Sequence, residues 1–407
     1  MIDYLYEWAS LLGRWLHLIT GIAWIGASFY FVWLDDSLLP PKRKELIDAG
    51  VGGEVWAVHG GGFYNAQKYK IAPAELPEPL HWFYWEAYTT WLSGFFLLCL
   101  LYFGQAEIYL IDPSVMLLSK PVAIGIALAF LAGGWLIYDA LCRVFFRRSE
   151  RALGLLVATM LAVVAWALCH LYGGRGAYIL YGAVIGTIMV ANVFFVIIPG
   201  QREMVRAKAQ GRPLDPVHGL RGKQRSVHNT YFTLPVLFVM ISNHYALTYG
   251  AKWNWLVLIA MSLAGAAIRT WFVMRHKAHE RGGRTSRVPL ALGVVVLAGV
   301  IAALAPRSGT STQNTAHDST TAAQRFAAVQ AIVNQRCVTC HAPTPSFAGF
   351  AAPPKGVLLD TPEHLLAHAA AMRTQLATRM MPIGNITQMT DAERETVLAW
   401  LRDGAPR

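Results

Sequence analysis

Charge is scarce in this chain. Only 14% of its 407 residues are Asp, Glu, Lys or Arg, too few for an ordinary soluble protein. Cysteine is scarcer: five residues, Cys99, Cys142, Cys169, Cys337 and Cys340, which gives no disulfide framework. No small-residue cleavage site follows the first apolar run, near Leu11 to Leu34. That run therefore reads as a span rather than a removable leader. Acidic residues lag behind basic ones, 24 against 35, for a net charge of +11. The surplus does not point to nucleic acid, because the basic residues gather in loops between apolar runs.

What is present is apolar. The chain is 55% hydrophobic, with 14 Trp, 16 Tyr and 18 Phe, and its mean hydropathy is positive. That composition describes a bilayer protein with interfacial aromatics. Apolar runs fall near 10–34, 82–103, 120–138, 152–171, 176–198, 229–249, 252–273 and 289–305. Each is close to the roughly 20 residues that cross about 30 Å of hydrocarbon. The expected fold is all-α: a polytopic helical membrane bundle of about eight transmembrane helices, filling residues 1–305.

The loops orient the bundle. Lys42, Arg43, Lys44, Lys68 and Lys70 follow the first run, and Arg143, Arg147, Arg148 and Arg151 the third. Arg202 to Arg225 supply seven basic residues after the fifth, and Arg275, Lys277, Arg281, Arg284 and Arg287 follow the seventh. The intervening loops carry chiefly Lys120, Arg175 and Lys252. The alternation puts the basic loops in the cytoplasm and both termini outside.

The stretch that carries chemistry is Cys337-Val338-Thr339-Cys340-His341. Two cysteines one helical turn apart, then histidine, is the attachment signature of a c-type haem. The thiols meet two vinyl groups on one porphyrin edge, and the histidine becomes the proximal ligand. A zinc site would need a second ligand pair, and no further cysteine lies nearby. A thioredoxin-like pair would sit in a βαβ context, and none is visible. Residues 306–321 are rich in Ser, Thr, Gln and Asn and read as a flexible linker. Residues 322–407 then read as a class I-like cytochrome c domain. A helix near Ala323 to Asn334 leads into the motif, and a second opens at Thr361-Pro362. The last is started by a capping box of Thr390 and Glu393. The second axial ligand is expected to be a methionine between the last helices. Met381, followed by Pro382, is the choice, with Met380 and Met389 as alternatives. Met372 reads as core, and His364 and His368 as exposed histidines on an amphipathic helix. One haem c implies electron transfer and a domain outside the cytoplasmic membrane.

Ionisable groups at bilayer depth mark candidate sites. His17, His170 and His244 lie on three different spans at similar depth and could hold a haem b. A second cluster lies towards the cytoplasm. Glu54, Trp56, His59, Gly60-Gly61-Gly62, Phe63, Tyr64 and Asn65 lead to His81, Trp82, Trp85, Glu86, Thr89 and Thr90. Asn192, Arg225, His228, Asn229, Tyr231 and Arg269 meet the membrane on the same side. Carboxylate, imidazole, guanidinium and aromatic planes together suit a flat, anionic, hydrogen-bonding substrate. The plainer readings are an aromatic belt for Trp82 and Trp85 and a snorkelling role for Arg269. Gly182 and Gly186 read as a helix-packing pair.

The chain resembles the membrane-bound, cytochrome-c-linked urate oxidases (urate hydroxylases). The resemblance covers nearly the whole chain. It rests on Leu16-His17-Leu18, Gly21 to Gly26 and Phe29-Tyr30-Phe31. It rests also on Trp56-Ala57-Val58-His59-Gly60-Gly61-Gly62-Phe63-Tyr64, on Trp85-Glu86-Ala87-Tyr88-Thr89-Thr90-Trp91, and on the haem motif with Met381-Pro382. It implies oxidation of urate to 5-hydroxyisourate, with oxygen from water and no hydrogen peroxide. Electrons would leave through the haem c to a soluble cytochrome c or terminal oxidase. Glu86, His59 or His81 could then act as general base, with Arg269 a further catalytic candidate, and an arginine with amide groups could hold the urate anion. Electrons released near the cytoplasm cannot cross about 30 Å of hydrocarbon in one hop, which is the reason for expecting a haem b held by His17, His170 or His244. Two other classes compete: a quinol:cytochrome c oxidoreductase, and a transporter or anchor that presents a cytochrome c. The absence of paired broken helices speaks against a transporter.

Overall fold

The computed structural model describes residues 1–280, 283–305, 322–347, 350, 352–377 and 379–406. The expected linker at 306–321 lies outside the described residues.

The apolar runs do become helices. The first is α1, Ile2–Ser37. A short turn, α2 (Lys44–Asp48), follows, and then the chain leaves the helical pattern. Val51–His59 (β1) and Gly62–Tyr69 (β2) pair as an antiparallel hairpin, with His59 opposite Gly62. The fold is mostly helical, and this two-stranded hairpin departs from the all-α expectation. Gly60 and Gly61 both have positive φ, 57° and 81°, which a two-residue hairpin turn requires and which side chains resist. The hairpin base is held to the end of α1 by the Leu39–Glu54 bridge and by Lys68 donating to Asp35 at 2.7 Å.

Next come α3 (Trp85–Leu97), which widens into a π-helical turn over Leu98–Phe103, and the short α4 (Ala106–Tyr109). Then α5 (Lys120–Phe145) and α6 (Glu150–Leu171) cross and return. The most buried helix is α7, Gly174–Asn192, continued through another π-helical turn into α8, Ile198–Ala209. The remaining helices of this unit are α9 (Pro216–Ser242), α10 (Ala246–Tyr249), α11 (Asn254–Glu280) and α12 (Val288–Leu304).

Six helical stretches are long and apolar enough to cross a membrane: Tyr4–Ser37, Trp85–Phe103, Lys120–Phe145, Glu150–Leu171, Gly174–Ala209 and Asn254–Arg275. Two runs expected to span fall short for stated reasons. The apolar part of α9 follows a basic first half that carries Arg221, Lys223 and Arg225. The apolar helix α12 has only 17 residues. The membrane unit is thus a multi-pass candidate with six qualifying helices among the described residues.

The bundle has two distinct ends. At one, Arg225 meets Asp139, and Gln224 donates to Glu150 at 2.8 Å. Among the described residues, the basic stretches from Arg143 to Arg151 and from Arg202 to Arg225 lie at this end. At the other, Tyr172 donates to Ala123 O at 2.7 Å and Gly173 N–H to Leu110 O at 3.2 Å. Gly182 lets α7 approach α9, since a Cβ there would lie 2.8 Å from Val239 Cγ1. Gly186 meets nothing within 4 Å, so only one of the pair packs.

The C-terminal unit has its own core, including Val329, Leu359, Met372, Leu376, Val397 and Trp400. Its helices are α13 (Ala322–Arg336), α14 (Pro362–Ala367), α15 (Ala369–Ala377) and α16 (Asp391–Arg402). Thr361 caps α14, and Thr390 with Glu393 forms the capping box of α16. The unit seats on the end of the bundle away from the basic loops. Tyr249 Oη donates to Met380 Sδ at 3.0 Å. Gly384, at φ 57°, comes so close that a Cβ would lie 2.7 Å from Ile108 O.

Candidate functional site

Arg269 sits on the inward side of α11 and is 7% exposed. Its guanidinium lies over the Phe29 ring of α1, 4.0 Å from the centroid. Asp36 and Tyr231 are within electrostatic reach. Yet its Nε and one terminal nitrogen are buried without a hydrogen-bond partner. Those two N–H groups form the side-on fork that pairs with a planar anion. Burying a cation with its donors unmatched is costly, so this edge could take an anionic ligand.

Tyr231 links Arg269 to a cavity of about 270 Å³ between α6, α7, α9 and α11. Its polar lining comprises Tyr181, His228, Tyr231, Ser262 and Thr270, set among apolar walls. A small cavity with few converging polar groups is the usual form of a ligand site. By helix position it runs from Tyr181 towards His228 at the basic end.

Behind His228 lies a buried polar network. His228 Nδ1 and Tyr138 Oη are 2.8 Å apart. Asn192 donates to Tyr138 Oη at 3.1 Å and to Asn229 Oδ1 at 2.8 Å. Arg225 donates to Asp139 Oδ1 at 2.7 Å and to Asn192 Oδ1 at 3.3 Å. Asn192, Arg225, His228 and Asn229 were expected near one another and are together. Tyr138 and Asp139 were missed, although an acid inside an apolar run is itself a signal.

The other sequence candidates disperse. His59 is exposed at the hairpin tip, and His81 is exposed against Phe83, with ring centroids 4.5 Å apart. Glu86 is half-buried in the first turn of α3, not one turn inside it, because the helix starts only at Trp85. Neither histidine joins Arg269. The two regions are joined through α1, which packs on both α3 and α11.

The three histidines expected to share a haem b are also apart. His17 Nδ1 lies 2.9 Å from Thr90 O and 3.1 Å from Ser93 Oγ, in a gap that Gly94 leaves on α3. His170 is exposed and bonded to Trp166 O, and His244 is exposed in the turn after α9. Among the described residues no three His, Cys, Asp or Glu side chains form a metal-binding group.

The Cys-Val-Thr-Cys-His run forms a helical turn after α13. Cys340 N–H and His341 N–H both bond Cys337 O, at 3.1 and 3.0 Å. His341 Nδ1 is 2.9 Å from Val357 O. A ring that donates from Nδ1 to a carbonyl offers Nε2 as a metal ligand. Burial pushes the Cys337 thiol up to about 12, the opposite of a reactive redox thiol. Arg394 donates to Met381 O at 2.7 Å and clamps that residue's backbone. Met389 is 3% exposed in the unit's core, and Met380 faces the membrane unit. Of the three candidate methionines, Met381 alone is committed to neither. These donors fit a c-type haem.

The sequence profile of the urate oxidase N-terminal family matches residues 3–305. The chain belongs to the urate oxidase N-terminal family. Arg269, Phe29, the cavity and the polar network all fall inside the matched family region. No curated protein and no solved structure matches the chain.

Proposed function

We propose that this protein is a membrane-bound urate hydroxylase. Urate and water become 5-hydroxyisourate, two electrons and two protons, and no hydrogen peroxide forms. Family membership makes urate-related oxidoreduction the starting point. The observation that carries the reading is the open fork of Arg269, buried over Phe29 within electrostatic reach of Tyr231 on the wall of a small cavity. Urate is a planar anion at neutral pH, and two parallel N–H donors match one of its edges. His228, on the cavity wall and bonded to Tyr138, is placed to receive a proton as water adds.

Cys337 and Cys340 would hold a c-type haem, with His341 and Met381 as the donors to its iron. The haem would supply one-electron chemistry, with a soluble cytochrome c or terminal oxidase as the acceptor. We place the protein in a bacterial cytoplasmic membrane, with the basic loops inside and the C-terminal unit outside. The cavity's apolar walls at membrane depth favour a second reading, a quinol site.

The test is anaerobic mixing of air-oxidised, detergent-purified protein with urate while the visible spectrum is recorded. Growth of reduced c-type bands, with 5-hydroxyisourate as product, supports the reading. A spectrum that ignores urate and responds to a quinol replaces it with the second.

A further inference from the structure

Electrons released in the cavity have to reach the C-terminal unit at the far end of the bundle, and between them lie two tyrosines one helical turn apart on α7 and a ring that packs on the second. Tyr181 lines the cavity and is 2% exposed. Tyr178 lies one turn away on the same helix, and its side chain is wholly buried. Residues three apart on a helix are neighbours. The Tyr178 and Tyr249 rings meet edge to face, with centroids 6.2 Å apart. Tyr249 Oη then donates to Met380 Sδ at 3.0 Å. Met380 is bonded directly to Met381 in sequence.

We propose that Tyr181, Tyr178, Tyr249 and Met380 form the path along which electrons leave the cavity for the C-terminal unit. The proposal rests on the redox reading above. It supplies a route that needs no haem held by His17, His170 or His244.

The rings serve as a bridge and not as stations that are themselves oxidised. Losing an electron makes a phenol strongly acidic, so a tyrosine that is oxidised in turn needs a base. Tyr178 Oη donates to main-chain carbonyls, Asn254 O at 2.7 Å and Thr248 O at 3.2 Å. Tyr249 donates to a thioether. Neither partner takes a proton at neutral pH. Electrons would therefore tunnel along these side chains one at a time, and the two protons leave with the water chemistry in the cavity. A haem held by Cys337, Cys340 and His341 would supply the one-electron oxidant.

The same geometry explains why the C-terminal unit is seated so closely. Gly384 permits contact with Ile108, which holds Met380 against Tyr249.

The experiment compares Tyr178→Leu, Tyr249→Leu and Met380→Leu with Tyr178→Phe, and with Tyr172→Leu as a control. Tyr172 is equally buried but lies off the path, bonded to Ala123 O. Two quantities are measured on full-length holoprotein. One is urate binding, by equilibrium dialysis. The other is growth of the reduced c-type band after anaerobic rapid mixing with urate, alongside reduction by ascorbate. The leucine variants on the path should slow urate-driven reduction by about tenfold or more with unchanged urate binding and ascorbate rate. Tyr178→Phe keeps the ring and should stay within about threefold of the unsubstituted protein. Equal slowing by Tyr172→Leu, or none by Tyr178→Leu, overturns the path. Slowing as large in Tyr178→Phe as in Tyr178→Leu overturns the bridge. If urate does not reduce the unsubstituted protein and a quinol does, the urate reading falls, and the same variants judge the path with quinol. If neither donor reduces it, both fall.

Discussion

Arg269 keeps a guanidinium buried with two donors unmatched, and everything proposed for substrate recognition turns on those two N–H groups. Arg269→Gln removes charge and fork together. A hydrogen bond to a charged group contributes about 1.5–3 kcal/mol, so the variant should lose roughly 10- to 100-fold in kcat/KM for urate. Arg269→Lys keeps the charge and loses the fork, and it should recover little of that loss. The decay of urate absorbance under steady-state conditions measures both. A lysine variant with full activity would mean that Arg269 acts only as a point charge. At the other unit, Cys337→Ala or Cys340→Ala should abolish or weaken the covalent haem stain on a denaturing gel. The two residues differ in legibility. The Cys-Val-Thr-Cys-His run could be read at once, because five adjacent residues carry the whole chemistry. Arg269 could be named only as one of several candidates, because its partner Phe29 lies on another helix and its missing partners cannot be seen in sequence.

Among the elements, the helices follow directly from the apolar runs, while the hairpin was hidden by its own composition. Gly60-Gly61 between alternating residues is a hairpin signal, but Trp56, His59, Phe63 and Tyr64 drew attention as a binding cluster. In the structure Trp56, Val58 and Phe63 are exposed. Helix packing gives a sharp contrast at the two glycines of α7. Gly182→Val drives a side chain into Val239 and should lower stability by about 1–3 kcal/mol, read as a lower melting temperature in detergent. Gly186→Ala should leave the melting temperature unchanged or raise it slightly. The capping box of α16 predicts a pH response. Hydrogen bonds from Arg336 first, then from the Thr390 backbone, hold the Glu393 carboxyl below the usual range. Its folded pKa is depressed, so its contribution is complete above the ordinary carboxylate value and is lost as pH falls through the lower, folded one. Hydrogen exchange of peptides from α16 should accelerate over that acidic window, and Glu393→Gln should flatten the response.

For the whole molecule, the sequence order of the runs gives an up-and-down bundle with one basic end, and the structure has that form. It could not give the tyrosine line, nor the α5 members of the polar network, Tyr138 and Asp139. A tyrosine in an apolar run reads as packing, and Tyr178 meets Tyr249 only once α7 and α10 are folded together. The network around His228 joins α5, α7 and α9 in the same way. The two-ended design makes a topology prediction. In intact cells an impermeant maleimide should label His244→Cys, whereas Arg147→Cys should need a permeabilised membrane. Labelling of both from outside would reject the orientation.

Arg269 lies 15 residues into α11, about 22 Å from the end at which Met380 is seated. On the proposed function, an electron that starts beside Arg269 and ends beside Met381 would travel most of the way through the field of an energised membrane. With the interior negative, that outward journey is downhill by about 2.3 kcal/mol for each full crossing at 100 mV. Urate oxidation on this arrangement spends membrane voltage instead of generating it. Turnover in sealed right-side-out vesicles should fall when an ionophore collapses the voltage, and an unchanged rate would put the substrate on the same side as the C-terminal unit.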